Sequence, residues 1–379
     1  MEKQQFNPFL ISGYHSEEYF CDRNKETDEI ISHIKNRNNV TLISPRRTGK
    51  TGLILHAFEK LKKNKICETL YIDIFATQNV EDFIKILSEG ILRDFPEKTS
   101  IGKQFWNLIK NFRPLFGFDS ITGETTVQIM YQTEGEKQQT LRNILQFLEK
   151  QDKQIVIAID EFQQITEYPQ KNMEAILRTE IQHLRNVSFI FCGSKRRIMI
   201  EMFSNAKQPF YASTTFMYLN KIDVKTYTAF IQNIFEKNGY TIDYESIEFI
   251  INWTQSYTYY TQFLCNQIYA NGEKKITIDV VKYICKKVLE QNTSSFLLLR
   301  ELLTTVQWNY LIAVAKEGKI ERITAQIFLM KYSIGTASNS NRLMKMLCEK
   351  ELILENIGLK NTDYQIYDVF FYHWLQENY

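Results

Sequence analysis

Apolar residues in this chain follow two patterns. Some cluster in short, nearly unbroken runs: Val40-Thr41-Leu42-Ile43, Gln154-Ile155-Val156-Ile157-Ala158-Ile159 and Asn186-Val187-Ser188-Phe189-Ile190-Phe191-Cys192. Such runs are too short for typical helices and do not alternate, so they predict strands covered on both faces, as in a parallel sheet. Others recur at helical spacing, through Ile30, Ile31 and Ile34 and again from Gly52 to Leu61. Glu68-Thr69-Leu70-Tyr71-Ile72-Asp73-Ile74 then reads as a strand, so strand, helix and strand follow one another as in a parallel sheet unit. The fold class this predicts is α/β.

Between Phe83 and Glu149, helical stretches flank a polar turn, Asp119-Ser120-Ile121-Thr122-Gly123-Glu124, with alternating residues on both sides. That pattern predicts a β-hairpin insertion over about residues 96–136. From about Asp223 the pattern is helical and dense in aromatics, Tyr227, Phe230, Phe235, Tyr257, Tyr259, Tyr260 and Phe263 among them, and core packing accounts for most of these. Beyond Gln307, helices over Trp308–Ala315, Thr324–Lys331 and Ala337–Glu349 precede a hairpin of Leu352-Ile353-Leu354 and Tyr364-Gln365-Ile366-Tyr367. Three short helices and a β-wing predict a winged helix.

The chemistry is concentrated where the first run ends. Ser44-Pro45-Arg46-Arg47-Thr48-Gly49-Lys50-Thr51 follows the strand and leads into the helix at Gly52, which is the placement a phosphate-cradling loop requires. Gly49 lets backbone N–H groups turn inward on phosphates, Lys50 brings a charge for β and γ oxygens, and Thr51 brings a hydroxyl for Mg²⁺ at a helix N-terminus. The pattern G-x-x-x-x-G-K-[ST] begins with Gly, and Ser44 stands there instead. That glycine serves turn geometry, which Ser44 can also adopt before Pro45. The second run ends in Asp160-Glu161: Asp160 is placed to hold Mg²⁺ opposite Thr51, and Glu161 to orient and polarise the attacking water. The third run ends in Ser194, Lys195, Arg196 and Arg197, polar groups where a terminal phosphate would sit.

Composition narrows the setting. A length of 379 residues exceeds a usual single core, and 44% apolar with 24% charged residues excludes a largely disordered chain. A net charge of +2 gives no global basic field for nucleic acid. The six cysteines and five histidines are scattered without metal-ligand or disulfide spacing, and Cys192 and Cys265 lie in apolar runs as small core residues. The amino terminus lacks a signal peptide's apolar core and no segment reaches the length of a membrane span, so a cytoplasmic protein is expected.

Taken in order, these motifs resemble the archaeal-type ATPase family, P-loop proteins of the AAA+ and STAND group related to origin-recognition ATPases and common in archaea and Bacteroidetes. The likeness covers nearly the whole chain. It rests on Tyr19-Phe20-Cys21-Asp22-Arg23, similar to the family's F-x-G-R-E; on Ser44 to Thr51 with Arg46 and Arg47; on Ile159-Asp160-Glu161-Phe162-Gln163; on Phe191-Cys192-Gly193-Ser194; and on Tyr364 to Leu375. The resemblance implies a leader (1–18), a P-loop ATPase core (19–222) with parallel sheet flanked by helices, a helical lid (223–300) and a winged helix (301–379). It implies Ser194 as a sensor and Tyr19, Phe20 and Arg23 near the adenine. Where the group often carries a G-x-P element under the base, Ser256-Tyr257-Thr258 lacks both Gly and Pro.

Arg196 and Arg197 are candidates for the arginine that accelerates phosphoryl transfer, with a solvated basic turn at a helix start as the competing reading; Arg178 and Arg185 are weaker candidates. An arginine acting on a neighbour's nucleotide would require a homo-oligomer. The recognition helix presents Ser338-Asn339-Ser340-Asn341-Arg342-Leu343-Met344-Lys345, whose Arg342 and Lys345 suit DNA, yet Glu349, Glu351 and Glu355 follow and no basic stripe is present. Three functions are therefore open: an ATP- and Mg²⁺-dependent ATPase acting as a conformational switch between ATP and ADP states, a nucleotide-gated DNA-binding regulator with little hydrolysis, and a switch that docks a protein partner through the aromatic lid or the 96–136 insertion.

Overall fold

The unbroken apolar runs become strands with no exposed position. A computed structural model describes residues 6–118, 123, 125–170, 172–357 and 361–379, and the chain divides into two compact units, Ser12–Thr226 and a second formed by Tyr227–Tyr379 with the amino-terminal residues through Ile11.

The first unit runs α1 (Asn24–Lys35), β1 (Val40–Ile43), α2 (Lys50–Lys63), β2 (Glu68–Asp73), α3 (Val80–Asp94), α4 (Ser100–Ile109), β3 (Pro114–Phe118), β4 (Thr125–Ile129), α5 (Glu134–Glu149), β5 (Ile155–Asp160), α6 (Met173–Ile181), β6 (Val187–Gly193), α7 (Arg196–Ser204) and β7 (Thr215–Tyr218). Five strands form a parallel sheet in the order β2-β5-β6-β1-β7, which sets β6 between the P-loop strand β1 and the acidic strand β5. Every residue of β1, β5 and β6 is buried. Helices cover both faces, because alternate residues of one strand belong to two cores. Val156 and Ala158 pack with Leu53, Ile54, Ala57 and Leu61 of α2, whereas Ile155, Ile157 and Ile159 pack with Phe83, Ile84 and Leu87 of α3. At about 25 cal/mol per Å² of apolar surface removed from water, this two-sided burial is the main force holding the strands' carboxyl ends in line.

The insertion is an antiparallel hairpin of β3 and β4, pairing Phe118 with Thr125. Of the polar turn read between them, Asp119 to Thr122 and Glu124 lie outside the described residues. β7 was not visible in the sequence pattern: it is an edge strand beside β1, with only Met217 buried.

The second unit contains α8 (Val224–Lys237), β8 (Thr241–Ile242), α9 (Tyr244–Trp253), α10 (Thr258–Asn271), β9 (Lys275–Ile276), α11 (Ile278–Glu301), α12 (Thr305–Glu317), α13 (Gln326–Lys331), α14 (Ala337–Glu349), β10 (Ile353–Ile357), β11 (Thr362–Ile366) and α15 (Val369–Asn378). The segment α12 to β11 has the three helices and antiparallel wing of a winged helix. Its caps are encoded locally: Thr304 and Gln307 form a reciprocal capping box on α12, and Thr336 accepts the Asn339 amide on α14. The carboxyl-terminal helix α15 joins this region to the helices before it. Its Phe371 and Trp374 rings lie within 5.1–5.5 Å of Phe296 on α11, and Trp374 Nε1 donates to Thr293 Oγ1 at 3.0 Å. His373 stacks on Trp253 at 4.5 Å. Of the aromatics read as core, Tyr227, Phe235, Tyr257 and Tyr260 are buried, and Phe230, Tyr259 and Phe263 are half-buried.

Residues 6–16 form no helix or strand but are tied down. Phe9 is buried against Phe235 at 4.6 Å between ring centroids, and Asn266 Nδ2 donates to the Phe9 carbonyl at 2.8 Å. Among the described residues, no helix is long and apolar enough to cross a membrane.

Candidate functional site

β1 stops at Ile43 and the chain turns through Ser44 to Gly49 before α2 starts at Lys50. Gly49 has φ 90°, a left-handed value glycine takes without steric cost, and Arg47 is also left-handed at 66°. Ser44 needs no such freedom, since its φ is negative. Its hydroxyl closes the loop instead: Thr48 Oγ1 lies 2.8 Å from both Ser44 Oγ and the Pro45 carbonyl oxygen. Both hydroxyl residues are buried, so these contacts offset their desolvation. Arg46 is half-buried and Arg47 exposed.

Lys50 is 8% exposed, and its Nζ is buried without a hydrogen-bond partner. A buried ammonium with no acceptor is costly, and an anionic ligand is the natural way to satisfy it. Thr51, beside it, donates from Oγ1 to Asp160 Oδ2 at 3.1 Å. The same oxygen accepts the Tyr71 phenol at 2.7 Å, while Asp160 Oδ1 accepts the Glu161 amide at 2.9 Å. Burial pushes the Asp160 carboxyl up, but the Lys50 charge and these hydrogen bonds outweigh it, so the group lies below the ordinary carboxylate value and is ionised at neutral pH. Parallel pairing sets Asp73 opposite Asp160. Asp73 shifts the other way: burial raises it, as do the Asp160 and Glu161 carboxylates, against the opposing Phe75 amide.

Glu161 follows the strand with a left-handed backbone, φ 53°. That turn carries its side chain to the end of the neighbouring strand, where Oε2 accepts from Ser194 Oγ at 2.7 Å and from the Ser194 amide at 3.2 Å. The structure thus brings together Lys50, Thr51, Asp160, Glu161 and Ser194 from three strand ends. Arg196 opens α7, half-buried, with its guanidinium 5.9 Å above the Tyr218 ring and its Nε buried without a hydrogen-bond partner. Arg197 is exposed, Arg178 is half-buried on α6, and Arg185 is exposed with its backbone N–H bound to Glu149.

On the other side of α2, Phe20 stacks on the buried His56 at 4.4 Å, and an added Cβ on Gly52 would meet the Phe20 ring at 3.4 Å. Tyr14 bonds to His56 Nδ1 at 2.8 Å and donates to Glu59. Tyr19 is half-buried. Arg23 is buried at the head of α1, paired with Glu26 at 2.8 Å, and its Nη2 has no hydrogen-bond partner. In the winged helix, Ser338, Asn341, Arg342 and Lys345 are exposed along one side of α14, with Arg342 Nη2 donating to Asn339 Oδ1 at 3.2 Å.

Sequence reasoning missed Tyr71 and Gln163. Tyr71 carries a legible signal, since it shares the face of β2 with Asp73 two residues on and so points to the edge where Asp160 emerges. Gln163, whose side-chain amide also reaches Glu161, closes the Ile159-to-Gln163 motif that carries the family resemblance, but nothing in a single sequence gives it a role.

Known proteins are similar to this chain in sequence and fold. A family model described as "ATPase domain predominantly from Archaea" matches residues 20–261, and one described as "Probable winged helix domain" matches residues 294–377. An uncharacterized ATP-binding protein of Methanocaldococcus jannaschii is 26% identical over 197 residues, 48% of this chain and 52% of that protein, so the chain spans about half the length of the curated relative it matches. The fold is that of the Walker-type ATPase of Pyrococcus abyssi, at TM-score 0.67 and 17% identity over 97% of this chain and 99% of that one. The ORC2 protein of Aeropyrum pernix, solved as ADPNP–ADP complexes, gives 0.59 at 13% identity over 99% and 98% of the two chains. The ORC1 protein of the same organism, solved in complex with DNA, gives 0.52 at 11% identity over 95% and 93%. Since the first of the two family matches takes in well over half of the residues, the chain belongs to this archaeal-type family of P-loop ATPases.

Proposed function

We propose that the protein binds ATP with Mg²⁺ and hydrolyses it, and that the nucleotide state governs how the lid and winged helix are arranged with respect to the ATPase core. The observation that carries this reading is Lys50: a buried ammonium without a protein acceptor, flanked by Thr51 and the ionised Asp160. Lys50 binds the β and γ phosphate oxygens, and the loop amides around Gly49 bind the rest of the phosphate chain. The Thr51 hydroxyl and Asp160 carboxylate are hard oxygen donors 3.1 Å apart, which suits Mg²⁺, an ion held by one or two carboxylates together with substrate phosphates. When bound, Mg²⁺ neutralises charge developing on the β and γ oxygens. Glu161 orients the attacking water and accepts its proton as the new O–P bond forms and the bond to the ADP oxygen breaks. Ser194 senses the γ phosphate, and Phe20, with Tyr19 and Arg23, lies on the adenine side.

The strand order, with the Ser194 strand between the P-loop and acidic strands, supports placement in the AAA+ and STAND group. Arg196 and Arg197, at the start of α7 just after Ser194, are the candidates to stabilise transferred charge; acting on a neighbour's nucleotide, either would make turnover depend on self-association. A test measures Mg²⁺-dependent phosphate release alongside spin-label distances between the core and α14 with ATP, ADP and no nucleotide. Turnover with nucleotide-independent distances removes the switch and leaves the ATPase.

One observation favours a second reading, a nucleotide-gated DNA-binding regulator. The exposed Ser338, Asn341, Arg342 and Lys345 on α14 match the polar, cationic face that reads a groove. It predicts duplex affinity that falls with salt and falls further in Arg342→Ala and Lys345→Ala. Affinity unaffected by both changes rules this face out.

A further inference from the structure

We propose that Gln163 is a positioning residue for Glu161, fixing one carboxylate oxygen so that the other is presented to the attacking water; this rests on the assignment of Glu161 above. Gln163 is 3% exposed, in the short 3-10 turn that follows β5. Its Nε2 donates to Glu161 Oε2 at 2.5 Å, and the hydroxyl and amide of Ser194 donate to that same oxygen. Three donors from two chain segments therefore converge on Oε2 and leave Oε1 to accept a proton. A carboxylate on an exposed turn has two free torsions beyond its first; anchoring one oxygen removes rotation about its last bond, the degree of freedom that decides which lone pair faces water.

The position of Gln163 is itself enforced by the neighbouring strand. An ideal Cβ on Gly193 would stand 2.0 Å from Gln163 Oε1 and 2.9 Å from Met199 Sδ, so the glycine before Ser194 leaves room for this amide. Gln163 Oε1 is buried without a hydrogen-bond partner. Its desolvation is a standing cost, which points to a requirement for the Nε2 donor that a packing residue would not have. The Asp160-Glu161-Phe162-Gln163 and Gly193-Ser194 motifs are in this way two halves of one device.

The test compares the wild-type chain, Gln163→Met, Gln163→Glu and Glu161→Gln by steady-state ATP hydrolysis, pH–rate profile and melting temperature, and records side-chain amide NMR of nucleotide-free wild type, Gln163→Met and Glu161→Ala labelled with ¹⁵N-glutamine. Gln163→Met keeps volume and loses the donor: kcat falls about 10²-fold with KM for ATP unchanged, the cost of a slightly misplaced group. Gln163→Glu sets a second carboxylate against the first, so the acid limb of kcat moves to higher pH. In the NMR spectrum, the amide signal that disappears in Gln163→Met is displaced downfield in wild type and returns to the ordinary range in Glu161→Ala. Wild-type kcat in Gln163→Met, with Glu161→Gln inactive, overturns the positioning role alone. Wild-type turnover in Glu161→Gln overturns the assignment of Glu161. An NMR signal indifferent to Glu161→Ala overturns the contact itself.

Discussion

Replacing Lys50 with Met separates ligand binding from stability in a direction opposite to most buried substitutions. The lysine stem is packed, and Met keeps most of that volume, so little cavity is created. The ammonium makes no hydrogen bond, and removing a desolvated charge of this kind returns about 1–3 kcal/mol. Against that stands Asp160, which loses a nearby positive charge but keeps Thr51, Tyr71 and the Glu161 amide as donors. The lost attraction across a partly screened site is on the order of 1 kcal/mol. The balance is neutral to stabilising by about 1–2 kcal/mol, or no more than about 4–8 °C in melting temperature for a unit of this size. Wild type in ATP and Mg²⁺ at a hundred times Kd gains about 2.7 kcal/mol from binding, and the variant gains none. Differential scanning calorimetry with and without nucleotide, together with titration calorimetry, measures both effects. A nucleotide-free variant that melts several degrees below wild type would show that Lys50 is a structural pillar and refute the argument; retained ATP binding would refute it independently.

Other outcomes follow from the same geometry. Glu161→Gln keeps ATP affinity and loses about 10²- to 10⁴-fold in turnover, checked by binding and phosphate release on one preparation. Asp73→Asn stabilises the nucleotide-free protein at neutral pH, because a carboxyl raised in the folded state is disfavoured when charged. That advantage shrinks as pH falls through the raised value, and urea unfolding at several pH values reads it. Asp160 has the opposite sign: its depressed value contributes stability that is complete above the unfolded carboxylate value of ~3.9 and lost on further acidification. Asp160→Asn therefore shows a shallower loss of stability below about pH 4 than wild type, and an unchanged slope there contradicts the assignment. Thr48→Val leaves the Ser44 hydroxyl without its loop-closing partner and weakens ATP binding while α2 stays folded, measured by calorimetry and circular dichroism.

What could be read from the sequence was what burial on both faces imposes. β1, β5 and β6 are buried at every position and apolar at all but Thr41, Asp160 and Ser188, which is why their pattern reads as strands covered on both faces. Lys50, Thr51, Asp160 and Ser194 stand at the ends of those strands, and their convergence follows from parallel pairing. β7 escaped because an edge strand with one buried residue, Met217, leaves no periodicity. α15 escaped because Val369, Phe370, Phe371, Trp374 and Leu375 are buried around its circumference, which erases the helical stripe. Tyr71 reaches Asp160 from the neighbouring strand, a contact its spacing to Asp73 makes legible only once β2 and β5 are known to pair, and Gln163 meets Glu161 through a 3-10 turn whose side-chain directions linear spacing does not report. The six cysteines are unpaired, and all but Cys348 are buried, as the apolar runs around Cys192 and Cys265 required.

The central claim, that the loop at Ser44 to Thr51 and the Asp160-Glu161 strand end form one hydrolytic site, is tested most directly by phosphate release from ATP by the purified 379-residue chain, with Mg²⁺, with EDTA, and in Lys50→Met. The account predicts release that requires Mg²⁺ and disappears in the variant. Release that persists at the wild-type rate in Lys50→Met, or its absence from the wild type under every Mg²⁺ condition, would contradict it.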